Sequence, residues 1–262
     1  MPMHDIFTSR LFASRLLSAT AVAVAFAAAS LAAEPLAPLT PLADICRLPF
    51  EEILREPVVR VSGVVIFSAP DGVAIQEGDH GLWVDIGLAR RREPATGAGF
   101  PAECPLGTLL EVEGRMTQGG FVPVLLPHAL RIVGTAPLPA PRRVDAERFL
   151  AAADVGTLVE TDAVWQGMAA ADGGVHIWLE AHGRPCMAEA ARDCLPPDAE
   201  RLVDAEVRIA GVLTSQFNTR GEATLPVLRI ARPEWISVTA AARQPPFEAP
   251  LTPLGRLAWH RE

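Results

Sequence analysis

The sequence repeats itself once, with a period of about a hundred residues. Segments of the first half recur in the second half with the same apolar pattern: 59–65 at 159–165, 71–75 at 173–177, 112–117 at 209–214 and 123–125 at 226–228. The offsets are 100, 102, 97 and 103 residues, in that order. Because the offset drifts by only a few residues, the pattern indicates two copies of one small domain that differ by loop insertions. The duplication restricts the chain to folds built from two modules in tandem.

Each copy has the strand pattern of a small β-barrel. Short apolar runs bounded by Gly, Pro and Asp predict five strands per copy, with a loop or short helix after the third. This is the order of an oligonucleotide/oligosaccharide-binding (OB) barrel. We therefore predict a mainly β fold: two tandem five-stranded OB-like barrels joined by a short helix and a Pro-rich linker. The predicted regions are a signal peptide (1–33), a linker with a short helix (34–57), the first barrel (58–135), a linker with a short helix (136–156), the second barrel (157–239) and a C-terminal tail (240–262).

Local signals add detail between the strands. Asp44 is a plausible N-cap for a short helix over 44–55, although Pro49 limits its regularity. Residues 145–153 predict a second short helix, and the Gly- and Pro-rich segment 87–107 predicts a long loop. In the second copy, a strand at 184–187 is expected to give way to a helical turn at 188–193.

Alternation along the strands predicts which side chains face outward. In the first copy Val73, Ile75, Leu82, Val84 and Ile86 point inward, whereas in the second copy Val175, Ile177 and Leu179 do so. The outward positions hold the binding candidates of both barrels: Gln76, Trp83, Asp85, His176, Trp178 and Glu180. Outward tryptophans in OB barrels are typical stacking platforms for bases or sugars. The alternative is that these tryptophans pack under a helix or against the neighbouring barrel.

The loop between the last two strands of the second copy supplies further candidates. Phe217, Asn218 and Arg220 lie there, at the rim of an OB fold, and are predicted to contact a ligand. The alternative is turn chemistry, because Asn tolerates left-handed backbone.

The N-terminus reads as an export signal. Arg10 and Arg15 flank an apolar, Ala-rich run, and Ser30-Leu31-Ala32 supplies the small residues of a cleavage site. An uncleaved membrane anchor is the alternative, since the apolar run approaches the length of a span. We therefore predict a bacterial periplasmic or secreted protein.

The charge balance is acidic, with 31 Asp and Glu against 23 basic residues and a formal net charge of −8. Because neutralising phosphates requires basic residues, no nucleic-acid partner is expected. The predicted partner is an unknown envelope ligand or protein. Membrane contact is expected only through an uncleaved signal anchor or a C-terminal span outside this sequence.

Four cysteines suggest disulfides in an oxidising compartment: Cys46, Cys104, Cys186 and Cys194. Cys186 with Cys194 is the natural local pair if the chain bends between them, and Cys46 with Cys104 would tie the first helix to the first barrel. Free buried thiols are the alternative. A zinc site using His176 and His182 is not expected, because no CxxC or HxxxH spacing occurs.

No motif in the chain predicts catalysis or a cofactor. A GxSxG nucleophile elbow is absent. Residues 97–102 formally fit GxGxxA, but a Pro and the lack of a following helix remove the anion-binding helix terminus. Glu111 and Glu113 fit a solvated strand face, and Arg90-Arg91-Arg92 fits a solvated charge run. We predict no enzymatic activity, no cofactor and no metal.

Three stretches of the first copy carry a family resemblance. They are 57–65 (PVVRVSGVV), 81–85 (GLWVD) and 106–114 (LGTLLEVEG). Together with 217–224 and the closing 246–257, they resemble the extracytoplasmic N-terminal input region of bacterial sensor histidine kinases. In that family such units precede a membrane span and a cytoplasmic kinase. The resemblance implies either a receptor fragment or a stand-alone exported relative, and it transfers no kinase activity.

These observations lead to a functional prediction. We expect a non-catalytic exported module that binds or senses a ligand or partner protein. The alternatives are a structural or scaffold protein of the envelope with no small ligand, and an OB-fold binder of single-stranded nucleic acid or oligosaccharide.

Overall fold

The computed structural model describes residues 38–94, 100–101, 104–119, 122–151, 153–220 and 222–242. The predicted signal peptide and residues 243–262 of the predicted tail lie outside this part of the chain. Within it, no helix is both long enough and apolar enough to span a bilayer.

The first half of the chain forms a closed five-stranded barrel. Its strands are β1 (Val58–Ala69), β2 (Gly72–Glu77), β3 (His80–Asp85), β4 (Thr108–Gln118) and β5 (Pro123–Thr135). They are arranged in the order β1-β2-β3-β5-β4, and β4 pairs with β1 to close the sheet. All neighbours are antiparallel except β3 and β5, which run parallel. Closure leaves this sheet without an unpaired edge.

The second half repeats this topology. Its barrel strands are β7 (Leu158–Ala171), β8 (Gly174–Ala181), β9 (Arg184–Ala190), β10 (Glu206–Phe217) and β11 (Ala223–Ile230). They follow the order β7-β8-β9-β11-β10, β10 pairs back with β7, and β9 and β11 run parallel. Two short strands add to the sheet, β6 (Arg142–Arg143) beside β7 and β12 (Ile236–Ala240) beside β10. The fold is therefore mainly β, with two tandem OB-like barrels, as predicted.

Strand register confirms the duplication and corrects one of its offsets. Val61 pairs with Val112 in the first barrel, and Thr161 pairs with Ile209 in the second, which reproduces the offsets of 100 and 97. On the second strand, however, Gln76 faces Val64 whereas Glu180 faces Val164, so the structural offset there is 104 rather than 102. The β7–β8 hairpin is longer than the β1–β2 hairpin. Matching the two copies at their turns therefore gives an offset of 102, whereas matching them at the paired strand residues gives 104.

Inward-facing side chains of every barrel strand fill two separate cores. In the first barrel the five residues predicted to point inward are all buried. A third, smaller cluster lies where the barrels meet and combines Ile66 and Ala74 of the first barrel with Leu158 and Val212 of the second. Phe67 and Trp83 pack against this cluster. The barrels are thus joined by a buried contact as well as by the linker.

The helices are shorter than predicted and one was missed. Pro49 divides the predicted 44–55 helix into α1 (Leu42–Ile45) and α2 (Phe50–Ile53), and Asp44 lies inside the first turn of α1 rather than at its N-cap. The predicted 145–153 helix is α4 (Ala146–Leu150), capped by Asp145. The start of the predicted 87–107 loop is instead α3 (Ile86–Arg92), so Arg90-Arg91-Arg92 forms a helix end.

Candidate ligand-binding face

Strand β8 presents three of the predicted binding residues to the outside of the second barrel. Val175, Ile177 and Leu179 are buried in the core, whereas His176, Trp178 and Glu180 alternate with them and point outward. Trp178 is 45% exposed, which is unusual for so large an apolar side chain.

The neighbours of these residues on β9 and β11 share that side of the sheet. His176 pairs with Glu189, and Arg229 of β11 lies on the other side of Glu189. In the adjacent row Trp178 pairs with Met187, which in turn pairs with Val227. We call these six residues the outer face. It consists of a polar row (His176, Glu189, Arg229) beside an apolar row (Trp178, Met187, Val227), in which Trp178 is exposed whereas Met187 and Val227 are buried.

Open space adjoins the indole of Trp178. Its partner on β7 is Gly167, which has no side chain to cover it. A Cβ atom placed at Gly167 would meet no atom within 4 Å. His176 meets the indole edge-on, with ring centroids 6.4 Å apart and an interplanar angle of 83°. A planar ring could therefore lie against the indole on its Gly167 side.

The polar row is linked through Glu189, which forms an ion pair with Arg229 and lies close to His176. Its Oε2 lies 3.3 Å from Arg229 Nε, and its Oε1 lies 4.0 Å from His176 Nε2. Arg229 Nε is buried and has no aligned hydrogen-bond acceptor among the described residues, so this contact is held by charge alone. Because the Arg and Glu charges largely offset each other, the outer face offers hydrogen-bonding groups without a strong net charge.

Arg229 also connects the outer face to the first barrel. Its guanidinium carbon lies 5.2 Å from the ring centroid of Trp83 and 5.6 Å from that of Phe67. The two rings are themselves 6.4 Å apart. These distances are typical of cation–π contacts. Trp83 therefore packs between the two barrels. This is the alternative to a ligand-binding role for this residue.

The side chains of Gln76 and Asp85 also make hydrogen bonds within the protein. Gln76 is buried; its Nε2 donates to Gly78 O at 2.7 Å, and its Oε1 accepts from Leu158 N–H of the second barrel at 2.9 Å. Asp85 caps α3, since its Oδ1 accepts from Leu88 N–H at 2.6 Å. Glu180 lies apart from the outer face, beside a depression of about 400 Å³ that His182 and Arg208 also line.

The β10–β11 loop is organised around Asn218. Its Oδ1 accepts from Arg220 N–H at 2.9 Å and from Glu222 N–H at 3.0 Å, while its Nδ2 donates to Glu222 Oε2 at 2.7 Å. This is the turn chemistry of the alternative interpretation. Phe217 ends β10 and is partly buried, and the Arg220 side chain is exposed.

The predicted disulfides are corrected, because all four cysteines are free thiols. Strand β9 continues to Ala190 where a bend was expected, which carries the chain about 13 Å away from Cys186 before Cys194 is reached. Cys46 Sγ donates to Gly81 O, whereas the backbone N–H of Cys104 donates to Ser68 Oγ at the other end of the β1–β2–β3 meander.

Burial protects three of these thiols, Cys104, Cys186 and Cys194, from reaction. It raises the pKa of Cys186 to about 12, and it also raises the pKa of Cys104 and Cys194. Because the thiolate is the reactive form, these side chains act as small core residues.

Sequence reasoning missed Glu189 and Arg229. The sequence predicts a helical turn at Glu189, whereas the structure places this residue on β9, beside His176. Arg229 lies opposite Glu189 through the parallel β9–β11 pairing, a contact across about forty residues that no local pattern encodes. For Arg229, the one signal in the sequence is a charged residue near the end of a predicted strand.

Comparison with known proteins yields structural similarity alone. No family model matches the chain, and no curated protein sequence matches it. An aspartyl tRNA synthetase from Entamoeba histolytica matches with a TM-score of 0.31 and 16% identity, over 40% of this chain and 23% of that one. The Ifi202 HINa domain in complex with 20bp dsDNA matches with a TM-score of 0.29 and 6% identity, over 71% of this chain and 100% of that one. A murine DNA binding protein bound with ds DNA matches with a TM-score of 0.30 and 8% identity, over 70% of this chain and 98% of that one.

These similarities are too low to assign a function, but they correct one expectation. Because two of the matched structures are complexes with double-stranded DNA, the prediction that nucleic acid is excluded as a partner is wrong. An acidic net charge does not by itself rule out a nucleic-acid ligand on a face of locally balanced charge.

Proposed function

We propose that this chain is a non-catalytic binding protein whose second barrel binds a ring-bearing ligand, a single-stranded nucleic acid or an oligosaccharide, on the outer face. The observation that carries the proposal is the half-exposed indole of Trp178 with open space above Gly167. An aromatic side chain in this setting stacks on bases or sugar rings with little dependence on their sequence.

The polar row supports the same proposal. His176 lies on the same strand as Trp178 and Glu189 on the next one, and both can form hydrogen bonds with base edges or sugar hydroxyls. Both lie two residues along the strand from the row that contains the indole, on the same side of the sheet. Because Arg229 is already paired with Glu189, we expect ring contacts to supply more affinity than phosphate contacts.

The packing of Trp83 limits where the ligand can lie. Its indole packs against Phe67 and Arg229 in the junction, so the described residues of the first barrel contribute no comparable platform. The scaffold interpretation therefore applies to Trp83, and the binding proposal depends on Trp178.

The test is titration calorimetry of the full chain with oligothymidylate and with chitotetraose. We expect one of them to bind, and Trp178→Ala to weaken its binding by about ten-fold or more, as for loss of a base-stacking aromatic. Phe50→Ala is the matched control, because Phe50 is another exposed aromatic, on α2. Binding of neither probe, or equal affinity of the Trp178→Ala protein and the wild type, would contradict the proposal.

Salt dependence separates the two ligand classes. A nucleic acid held through its phosphates loses affinity as salt rises, in proportion to the phosphates neutralised, whereas a neutral sugar does not. A steep slope for oligothymidylate would indicate phosphate contacts beyond the outer face.

We also propose that this module is exported and has a sensory role. The basic flank and Ala-rich run at the N-terminus support export, and the resemblance to sensor kinase input regions supports sensing. Mass spectrometry of the chain expressed in bacteria tests the first point. The expected mass lacks residues 1–33, and an intact cytoplasmic protein would contradict export.

A further inference from the structure

A second cavity lies in the second barrel. It has a volume of about 430 Å³ and opens between the β7–β8 hairpin and the two 3₁₀ turns, Arg192–Cys194 and Ala199–Arg201, that follow β9. This size is within the range of small-molecule sites. None of the six outer-face residues lines it, although Gly167, the β7 partner of Trp178, does.

The wall of the cavity is mainly apolar. Met168, Val175 and Val203 line it together with Trp165, which is fully buried. The indole Nε1 of Trp165 is itself buried and makes no hydrogen bond within the described part of the chain, so the ring supplies an apolar surface beneath the cavity and no donor to it.

The backbone holds this indole in place. Trp165 N–H donates to Ala205 O at 2.9 Å, and Trp165 O accepts from Asp204 N–H at 2.8 Å. The segment that leads into β10 is thereby fixed against β7, so the wall is formed before any ligand arrives. A preformed wall lowers the cost of ordering a ligand site.

The polar side of the cavity carries one charge of each sign. Arg192 and Glu200 line it and are exposed, and neither makes an ion pair with a residue that the structure describes. An Arg can bind a carboxylate through two parallel hydrogen bonds, and a Glu can accept from an ammonium group. A ligand that binds both side chains therefore carries a carboxylate and an ammonium group.

We propose that this cavity binds a zwitterionic apolar amino acid. The ligand side chain packs against Met168, Val175 and Val203, its carboxylate binds Arg192, and its ammonium group binds Glu200. This site would give the module a small-molecule input separate from its ring-binding face.

Titration calorimetry of the full chain with L-phenylalanine and L-leucine tests the proposal. The matched analogues are N-acetyl-L-phenylalanine, which lacks the ammonium charge, and L-phenylalaninamide, which lacks the carboxylate. We expect at least one amino acid to bind and both analogues to bind about ten-fold more weakly or worse, as for loss of one charged hydrogen bond. Failure of both amino acids to bind with a Kd below about 1 mM, or equal binding of the analogues, overturns the proposal.

Two variants and one control locate the site. Arg192→Gln and Glu200→Gln should each weaken binding about ten-fold. Arg201→Gln is the control, since Arg201 lies in the same 3₁₀ turn as Glu200 and does not line the cavity. Unchanged binding in the first two variants overturns the assignment. Trp178→Ala should leave amino-acid binding intact, so this test and that of the outer face fail separately.

Discussion

At the scale of single residues, the two outward tryptophans have different roles. Alternation places both on outer surfaces, and the structure agrees. Their surroundings differ because the register makes Trp178 the structural equivalent of Ala74, and Trp83 that of Met187. One indole is covered by the partner barrel, and the other is left half-exposed.

This difference predicts opposite effects on stability. Trp83→Ala should lower the free energy of unfolding by on the order of 3 kcal/mol, because it removes a packed indole and its contact with Arg229. Trp178→Ala should change it by about 1 kcal/mol or less, as for most surface substitutions. Urea unfolding of both variants measures this. Similar losses in the two proteins would show that Trp178 is also a packing residue.

Asp154 gives a second prediction at this scale. Burial alone would raise the pKa of this carboxyl, but hydrogen bonds from Arg148 and Arg142, with their charges, outweigh it and hold the pKa below its usual value. A lowered folded-state pKa contributes stability above the unfolded value of about 4, which is lost as the pH falls through the folded value.

Asp154→Asn should therefore destabilise the protein by about 2 kcal/mol at pH 7, and the difference from wild type should shrink below about pH 4. Urea unfolding across this pH range is the measurement. Asp172→Asn, in the exposed β7–β8 turn, is the control and should behave as wild type throughout. A wild-type advantage over Asp154→Asn that persists at low pH would argue against a role for the ionised carboxylate.

At the scale of elements, the length of the β7–β8 hairpin distinguishes the two barrels. Its extra residues carry β8 beyond the point where the first barrel turns, and β9 extends with it to Ala190. That extension brings Glu189 beside His176 and removes the bend that a Cys186–Cys194 disulfide would require. The same change therefore creates the polar row and leaves both thiols free.

Strand β3 meets the second barrel through a glycine. A Cβ atom at Gly81 would lie 1.9 Å from the carbonyl oxygen of Gly156, closer than any real contact. Gly81→Ala should therefore separate the barrels and cost about 1–3 kcal/mol. Gly134→Ala is the control, because a Cβ atom there meets nothing within 4 Å. Thermal unfolding should show a lower or divided transition for Gly81→Ala alone, and equal behaviour of the two variants would contradict a tight junction.

At the scale of the whole molecule, local patterns predicted the barrels and missed what joins them. Alternation of residues such as Val73, Ala74 and Ile75 is encoded within a strand, so the number, order and inward faces of the strands were accessible. The junction is not, because Gln76 meets Leu158 N–H and Trp83 meets Arg229 across long sequence separations. Two of the predicted binding residues, Gln76 and Trp83, therefore join the barrels.

The measurement that tests the central claim most directly is fluorine NMR of the full chain labelled with 5-fluorotryptophan. The chain has five tryptophans, and single Trp→Phe variants assign each resonance. Titration with oligothymidylate or chitotetraose should shift the resonance of Trp178 while that of Trp83 stays in place. Binding that shifts Trp83, or leaves Trp178 unmoved, would contradict the assignment of the ligand to the outer face of the second barrel.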